Sequence, residues 1–223
     1  MKLSKVFAVV MTAWFATSCL AAEQLDQSYD VPVDSQNLRD AIYFVKVAAQ
    51  TFTVGVSGTL SKVELAIQRS SDFPGSVSVD IARVVAGTPD YSQSGRLANQ
   101  TLAVSSIPVQ DPNTPLAKTF VPIDFSSSNL AVNAGDYLAI VLRPSYTGSN
   151  YIGWWENNSS QPSYEGGTYF TYDVVMQSGA DIGGSINDAQ FRTYVTTIPE
   201  PSTCVLLAGC SLAIGFTRRD RRR

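Results

Sequence analysis

The sequence predicts an all-β protein, an antiparallel β-sandwich of two sheets and of jelly-roll type. Away from its two ends, the chain alternates apolar and polar residues in short segments, which places the apolar residues on one face of a strand. Turn residues separate these segments, as at Asn133-Ala-Gly135-Asp136 and Gly166-Gly167, and no ten-residue stretch has the apolar stripe of an amphipathic helix. Many short strands at roughly ten-residue spacing are typical of two-sheet sandwiches.

The alternation is most regular in residues 63–68, 77–82 and 121–125. Proline has no N–H for a strand ladder, so Pro122 predicts an edge or a bulge for the third of these segments. Residues 137–142 are apolar on both faces, which predicts a strand in the middle of the sandwich. Further strands are expected at residues 42–47, 51–56, 101–105, 151–155, 169–176 and 190–196, with residues 23–40 as a polar lead-in or an early edge strand.

The first 22 residues have the parts of a secretory signal peptide. Two lysines form a basic start, residues 6–16 are apolar, and Ala21 and Ala22 are small residues that suit cleavage. A lipoprotein with the lipid on Cys19 is the alternative, although the usual leucine is missing from the residues before this cysteine. The sequence therefore predicts export, with residues 1–22 removed from the body of the protein.

The last part of the chain, residues 199–223, has the form of a second targeting signal, in addition to the signal peptide. It begins with Pro199-Glu200-Pro201 and continues with an uncharged, mostly apolar run at residues 203–217. Such a run spans roughly 22 Å as a helix, less than the ~30 Å hydrocarbon core, but basic side chains extend its reach by snorkelling. Positive charge favours the cytoplasmic side, so we expect a short membrane helix with the body facing outward. The membrane stop is an arginine cluster: Arg218, Arg219, Arg221, Arg222 and Arg223.

This tail resembles the PEP-CTERM sorting signal of bacterial exported proteins. Pro199, Glu200 and Pro201 match the motif, residues 205–216 match the membrane segment, and residues 218–223 match the basic end. The resemblance implies that the tail is a substrate of exosortase, a membrane-embedded cysteine transpeptidase or protease. It also implies transit through the secretion machinery and the inner membrane, and then a location at the cell surface or outside the cell.

A weaker resemblance concerns the body. Residues 50–54, 58–65 and 130–140 are similar to jelly-roll domains of other PEP-CTERM proteins, which resemble carbohydrate-binding modules in shape. These segments are strand and turn patterns. They therefore support the predicted fold of residues 23–198 more than any particular activity.

The composition of residues 23–198 excludes several functions. Nine basic and seventeen acidic residues give this body a net charge of −8, which argues against nucleic acids and anionic membrane surfaces as partners. All three cysteines lie outside it, so its stability is expected to come from a packed core without disulfides. The chain has no histidine, which removes Ser-His-Asp and Cys-His catalytic arrangements and nearly all zinc sites.

The best candidate ligand surface is an aromatic segment that begins at Tyr151. Aromatic rings stack on the flat C–H faces of sugars, while Asn and Glu side chains bind sugar hydroxyls. Adjacent strand residues point to opposite faces, so at most one of Trp154 and Trp155 is expected in the core. The alternative is that both are packed, one in the core and one under the loop at residues 159–167. The candidate glycan contacts are Tyr151, Trp154, Trp155, Asn157, Asn158 and Tyr164.

Two other kinds of site remain open. Acidic residues near the predicted loops suit a structural calcium ion, but their spacing identifies no ligands, and no other cofactor is expected. A glycosidase needs two carboxylates that flank the scissile bond, and Glu156 and Glu165 are the candidates. We expect no catalytic residue, because two acids are easily found in an acidic body.

The sequence as a whole predicts a non-catalytic exported protein of the cell envelope or extracellular matrix that associates with exopolysaccharide. Its expected partners are exosortase, the secretion machinery, the membrane in transit and the polysaccharide. Three alternatives remain: a specific carbohydrate-binding module, a glycan hydrolase, and a permanently membrane-anchored surface protein.

Overall fold

The computed structural model describes residues 21–33, 39–43, 46–110, 118–145, 150–157, 160–173 and 187–197. These residues form thirteen β-strands and two short 3₁₀ helices, at Val104–Ser106 and Ser126–Ser128, with no α-helix among them. The strands form two antiparallel sheets, which confirms the predicted all-β, two-sheet class. Nearly all of the predicted signal peptide and the whole predicted sorting tail lie outside the described residues.

The first sheet is organised around β4, its longest strand. Its seven strands are β1 (Ala22–Tyr29), β2 (Arg39–Ile42), β4 (Gly58–Arg69), β8 (Phe120–Asp124), β9 (Ala131–Val132), β11 (Ile152–Trp155) and β13 (Phe191–Thr197). Their order is β1-β13-β4-β11-β2, and β8 and β9 also pair with β4. The polar segment that begins near residue 23 is therefore an edge strand, and the strand that contains Pro122 pairs only with β4 among the described strands.

The second sheet has β10 near its centre. Its six strands are β3 (Lys46–Thr53), β5 (Val77–Val85), β6 (Thr88–Pro89), β7 (Arg96–Leu102), β10 (Tyr137–Pro144) and β12 (Tyr169–Asp173). Their order is β12-β3-β10-β5-β6, and β7 also pairs with β5. The residues of β10 from 138 to 142 are buried on both faces, as their continuous apolar sequence predicts.

The main core lies between the two sheets. On β4, Val63, Leu65 and Ile67 point into it in strict alternation and are almost fully buried. The two sheets meet at Phe52 of β3 and Phe191 of β13, whose ring centroids lie 5.9 Å apart. Burial of each such side chain favours folding by about 1.5–3 kcal/mol. The body has no cysteine, so this packing carries the stability that disulfides supply elsewhere.

Two predicted strand boundaries are wrong. The predicted strands at 42–47 and 51–56 are instead β2 and β3, and the Lys46 N–H at the start of β3 donates to the Tyr43 carbonyl at 2.6 Å. Gln50 and Thr51 interrupt the apolar pattern but stay within β3, because their side chains form hydrogen bonds inside the protein. The predicted strand at 101–105 ends at residue 102 and is followed by a 3₁₀ helix.

The predicted turns are present where the structure describes them. Asp136 donates its backbone N–H to Asn133 at 2.9 Å, and Gly135 between them has a φ of 93°, which glycine adopts without strain. At Gly167 the chain passes so close to β3 that an added Cβ would lie 1.9 Å from the Thr51 carbonyl oxygen. Only glycine permits this approach.

Residues 23–196 form one compact unit. Within the part of the chain that the structure describes, no helix is both long enough and apolar enough to cross a membrane. The membrane helix expected at residues 203–217 lies outside that part.

Candidate functional site

Both tryptophans of the predicted ligand surface are buried. Trp154 and Trp155 point to opposite faces of β11, as adjacent strand residues do, and expose 0% and 1% of their surface. Trp154 belongs to the core between the sheets, where its Nε1 donates to the Gln190 carbonyl at 3.0 Å and its ring meets Tyr169 edge-on. A glycan platform that needs an exposed tryptophan ring is therefore not formed: Trp154 occupies the core position of the packed alternative, and Trp155 is buried on the opposite face of β11.

Two of the other predicted glycan-contact residues form hydrogen bonds within the protein. Tyr151 is half-buried and donates its hydroxyl to Gln110 at 2.8 Å. Tyr164 is also half-buried, and its hydroxyl donates to Gln27 at 2.9 Å while its ring packs edge-on against Phe191. Asn158 lies outside the described residues.

Asn157 and Asp188 form part of a buried polar network that joins the two sheets. The Asn157 backbone N–H donates to the Asp188 carbonyl at 3.1 Å. One carboxylate oxygen of Asp188 accepts from Gln50 of β3 at 3.1 Å, and the other accepts from the backbone N–H of Tyr164 at 2.9 Å. Burial raises the pKa of Asp188, and the bonds from Tyr164 and Gln50 offset only part of that effect. The network ties residues 160–168 to the sandwich.

The two candidate hydrolase acids have different environments. Glu156 follows β11, is 4% exposed and lies opposite Ala189 in an isolated bridge, whereas Glu165 is exposed. Among the residues that the structure describes, no group of three or more acidic or other metal-ligating side chains is placed to hold a metal ion.

A different surface brings aromatic and charged side chains together on the outer face of the second sheet. We name it the second-sheet platform. The residues that form it are Asp80, Tyr91, Arg96, Arg143, Phe170 and Tyr172. On β5, Asp80 alternates with the core residues Val79 and Ile81, so it faces away from the first sheet.

Strand register places these residues side by side. One row across the sheet runs from Phe170 on β12 through Ala49 and Val141 to Asp80 on β5 and Asn99 on β7. The small residues of β3 and β10 form an apolar floor between the aromatic and the charged ends of the row. The platform is therefore assembled from five strands and one loop that are distant in sequence.

The aromatic end of the platform is a stacked pair of tyrosines. Tyr91 comes from the loop between β6 and β7, and Tyr172 comes from β12. Their ring centroids lie 4.9 Å apart with an interplanar angle of 20°. The Arg143 guanidinium lies 5.8 Å from the centre of the Tyr91 ring and donates to the Tyr91 carbonyl at 3.0 Å, which holds the loop against the sheet.

The charged end is centred on the buried carboxylate of Asp80. Its oxygens contact Arg143 Nε at 2.7 Å, Arg96 Nη2 at 3.1 Å and Asn99 Nδ2 at 2.6 Å. The Asp80 side chain is 1% exposed, but those of Arg96 and Arg143 are 29% and 21% exposed. Two guanidinium groups therefore share one carboxylate and remain partly accessible, which leaves a local excess of one positive charge.

The outer face of the first sheet carries charges that neutralise one another. Three acids alternate with three bases in a continuous ion-pair network: Glu23, Lys62, Glu64, Arg192, Asp30 and Lys118. Its cations also cover the aromatic rings, with Lys62 3.8 Å from the centre of the Tyr194 ring and Arg192 4.0 Å from that of Phe120. The second-sheet platform is thus the better candidate for a ligand surface.

The second-sheet platform is not predicted from the sequence. The outward positions of Asp80 and Arg143 can be inferred from the alternation of β5 and β10, but their proximity depends on the pairing of those strands. Comparison with known proteins adds no assignment: no family model matches the chain, and a search of curated proteins finds no significant match.

Proposed function

We propose that this chain is a non-catalytic exported protein of the cell envelope or extracellular matrix, and that its sandwich domain associates with exopolysaccharide. The observation that carries the binding proposal is the second-sheet platform. It combines stacked tyrosines with guanidinium groups on a face turned away from the core. Aromatic faces stack on sugar rings, and the charged groups orient the ligand by hydrogen bonds.

The proposed delivery rests on the two ends of the sequence. Residues 1–22 act as a signal peptide, and residues 199–223 act as a PEP-CTERM tail with a short membrane helix and an arginine stop. The described body suits this order, because its last described strand ends at Thr197, two residues before Pro199. Exosortase processes the tail while the chain is held in the inner membrane, and the body passes to the cell surface or beyond.

Two features support the non-catalytic part of the proposal. The chain has no histidine to serve as a general base. The two candidate acids differ in environment, one buried and one exposed. We also propose that the two antiparallel sheets have a jelly-roll arrangement.

The delivery proposal is tested by the intact mass and location of the mature protein in its native host, with the full chain compared with a chain that ends at Ile198. We expect the full chain to yield a surface or released species that ends near Pro199. A full-length species that still contains Arg223 and stays in the inner membrane would instead identify an anchored protein.

The binding proposal is tested by retention of the full chain on polysaccharide purified from the same host. We expect Tyr172→Ala to reduce retention, because it removes one ring of the stacked pair. Tyr43→Ala is the matched control, since Tyr43 is 41% exposed and lies outside the platform. Equal retention of the two variants, with both folded by circular dichroism, would contradict binding at this surface.

A further inference from the structure

We infer that the second-sheet platform selects polysaccharides that contain uronic acids, whose sugar rings carry carboxylates. The inference rests on the proposed function, because it assigns a ligand class to the surface proposed to bind polysaccharide. It is carried by the excess of positive charge around Asp80, where two guanidinium groups share one carboxylate. It is also carried by the position of the tyrosine pair beside these arginines.

Each of the two arginines has donors without an acceptor among the described residues. Arg143 uses Nε for Asp80 and one terminal nitrogen for the Tyr91 carbonyl, and its other terminal nitrogen has no acceptor among the described residues. Arg96 contacts Asp80 through Nη2, while its Nε is buried and has no hydrogen-bond partner in the described part of the chain. The Arg96 Nε is too deeply buried to meet a ligand, but both arginine side chains are partly exposed, so their terminal nitrogens can donate to an incoming carboxylate at little cost to existing hydrogen bonds.

The local charge favours an anion. Asp80 offsets one of the two guanidinium groups, and because the arginines are the more exposed, a ligand at the surface meets their positive charges first. At the edge of the same sheet, Lys46 and Asp173 lie opposite each other in register, so their charges offset each other. The body as a whole has a net charge of −8, so an acidic polymer is repelled elsewhere and attracted here.

The adjacent rings favour a sugar over a small anion. The Arg143 guanidinium lies 5.8 Å from the centre of the Tyr91 ring, and Tyr91 stacks on Tyr172. A uronate unit presents an apolar ring face and a carboxylate on one pyranose, so it can contact the tyrosine pair and the arginines together. A neutral glycan would use only the rings, and a free carboxylate would use only the arginines.

The test uses the full 223-residue chain and polygalacturonate, with fully methyl-esterified polygalacturonate as the matched neutral probe. We expect binding to polygalacturonate that weakens with added salt, and binding at least roughly tenfold weaker to the ester. Arg96→Gln and Arg143→Gln should each weaken binding to polygalacturonate by roughly tenfold. Lys62→Gln is the control, because it removes the same charge from the outer face of the first sheet and should leave binding unchanged.

Several outcomes would overturn the inference. Equal affinity for the acid and the ester, or an equal loss with Lys62→Gln, would show that the platform does not recognise the carboxylate. Binding to dextran sulfate and not to polygalacturonate would assign the site to sulfated sugars instead. If Arg143→Gln does not fold, Arg96→Gln decides the result, because Arg96 is the more exposed and forms fewer bonds.

The same experiment separates the inference from the proposed function. Retention on neutral host polysaccharide or on the methyl ester, lost in Tyr172→Ala, would leave the proposed function intact and remove only the uronate specificity. No retention on any polysaccharide would remove both.

Discussion

At the scale of single residues, burial depends on what covers each face of a strand. Trp154 and Trp155 are neighbours on β11, and both are buried only because both faces of that strand are covered. Trp154 also satisfies its polar atom through the Gln190 carbonyl. Its role is therefore structural, and its replacement should affect stability directly.

Trp154→Ala should lower the free energy of unfolding by about 3–5 kcal/mol, because it leaves a cavity between the sheets and removes one of the two hydrogen bonds that the Gln190 carbonyl accepts. Urea denaturation followed by fluorescence of the remaining tryptophans measures this loss. Val85→Ala is the control: Val85 is 59% exposed, so its replacement should change stability by less than about 1 kcal/mol. Equal effects of the two substitutions would contradict the packed position of Trp154.

Asp188 should make stability depend on pH in a particular direction. Burial raises its pKa in the folded protein, so the folded state binds the proton more tightly than the unfolded state. The stability linked to this carboxyl is fully present below its ordinary pKa of 3.8 and falls as pH rises through the raised folded value. Asp188→Asn should therefore gain stability relative to the native chain as pH rises from about 3 to 7.

Asp30 provides a control of opposite sign for that experiment. Burial raises the pKa of Asp30, but hydrogen bonds from Lys118 and Arg192 outweigh burial and lower the pKa overall. Its stabilising effect is present above the ordinary pKa and lost in acid, so Asp30→Asn should lose stability relative to the native chain as pH rises. Urea titrations at several pH values measure both trends, and parallel curves for the two variants would contradict these assignments.

At the scale of elements, one β-hairpin has a turn with a residue of a type that this turn disfavours. β5 and β6 pair through Val85 and Thr88, which leaves Ala86 and Gly87 as a two-residue loop. Both have positive φ, 53° and 84°, as in a type I′ turn. Glycine adopts this conformation freely, but alanine is strained there because its Cβ crowds the backbone.

Ala86→Asn should raise the free energy of unfolding by about 0.5–1 kcal/mol, because asparagine tolerates the left-handed conformation better than alanine does. The midpoint of urea denaturation measures the gain. Ala131→Asn is a matched control, since Ala131 is exposed in β9 and does not have a positive φ. If both substitutions changed stability equally, the strain at Ala86 would not be the cause.

At the scale of the whole molecule, the first sheet is completed by both ends of the compact unit. β13 lies between β1 and β4, although it is the last of the described strands to be synthesised. It also contributes Phe191 and Val195 to the core, and both are fully buried. The domain therefore cannot complete its first sheet until residue 197 is available.

A chain of residues 23–197 should unfold in a single cooperative transition, because it contains the compact unit and all thirteen described strands. A chain of residues 23–190, which lacks β13, should show no such transition, because β1 and β4 lose a neighbour and the core loses two side chains. Circular dichroism during urea denaturation measures both. Cooperative unfolding of the shorter chain would contradict a central position for β13.

Much of the fold can be predicted from sequence because alternation along a strand is local. The segments at 63–68, 77–82 and 121–125 lie within β4, β5 and β8, apart from residue 125, which directly follows β8. The boundary between β2 and β3 was predicted incorrectly, because Gln50 and Thr51 are polar and yet buried. Their hydrogen bonds to distant partners, such as the bond from Gln50 to Asp188, leave no trace in the local pattern.

The sequence by itself determined the strand-rich class, the acidic body without cysteine or histidine, and the outward side of each regular strand. These follow from composition and from the two-residue period of an extended backbone. Only the tertiary structure decided that both tryptophans are buried and that Asp80, Arg96 and Arg143 meet beside a tyrosine pair. Those contacts depend on which strands pair and in which register, and such pairing joins residues far apart in the chain.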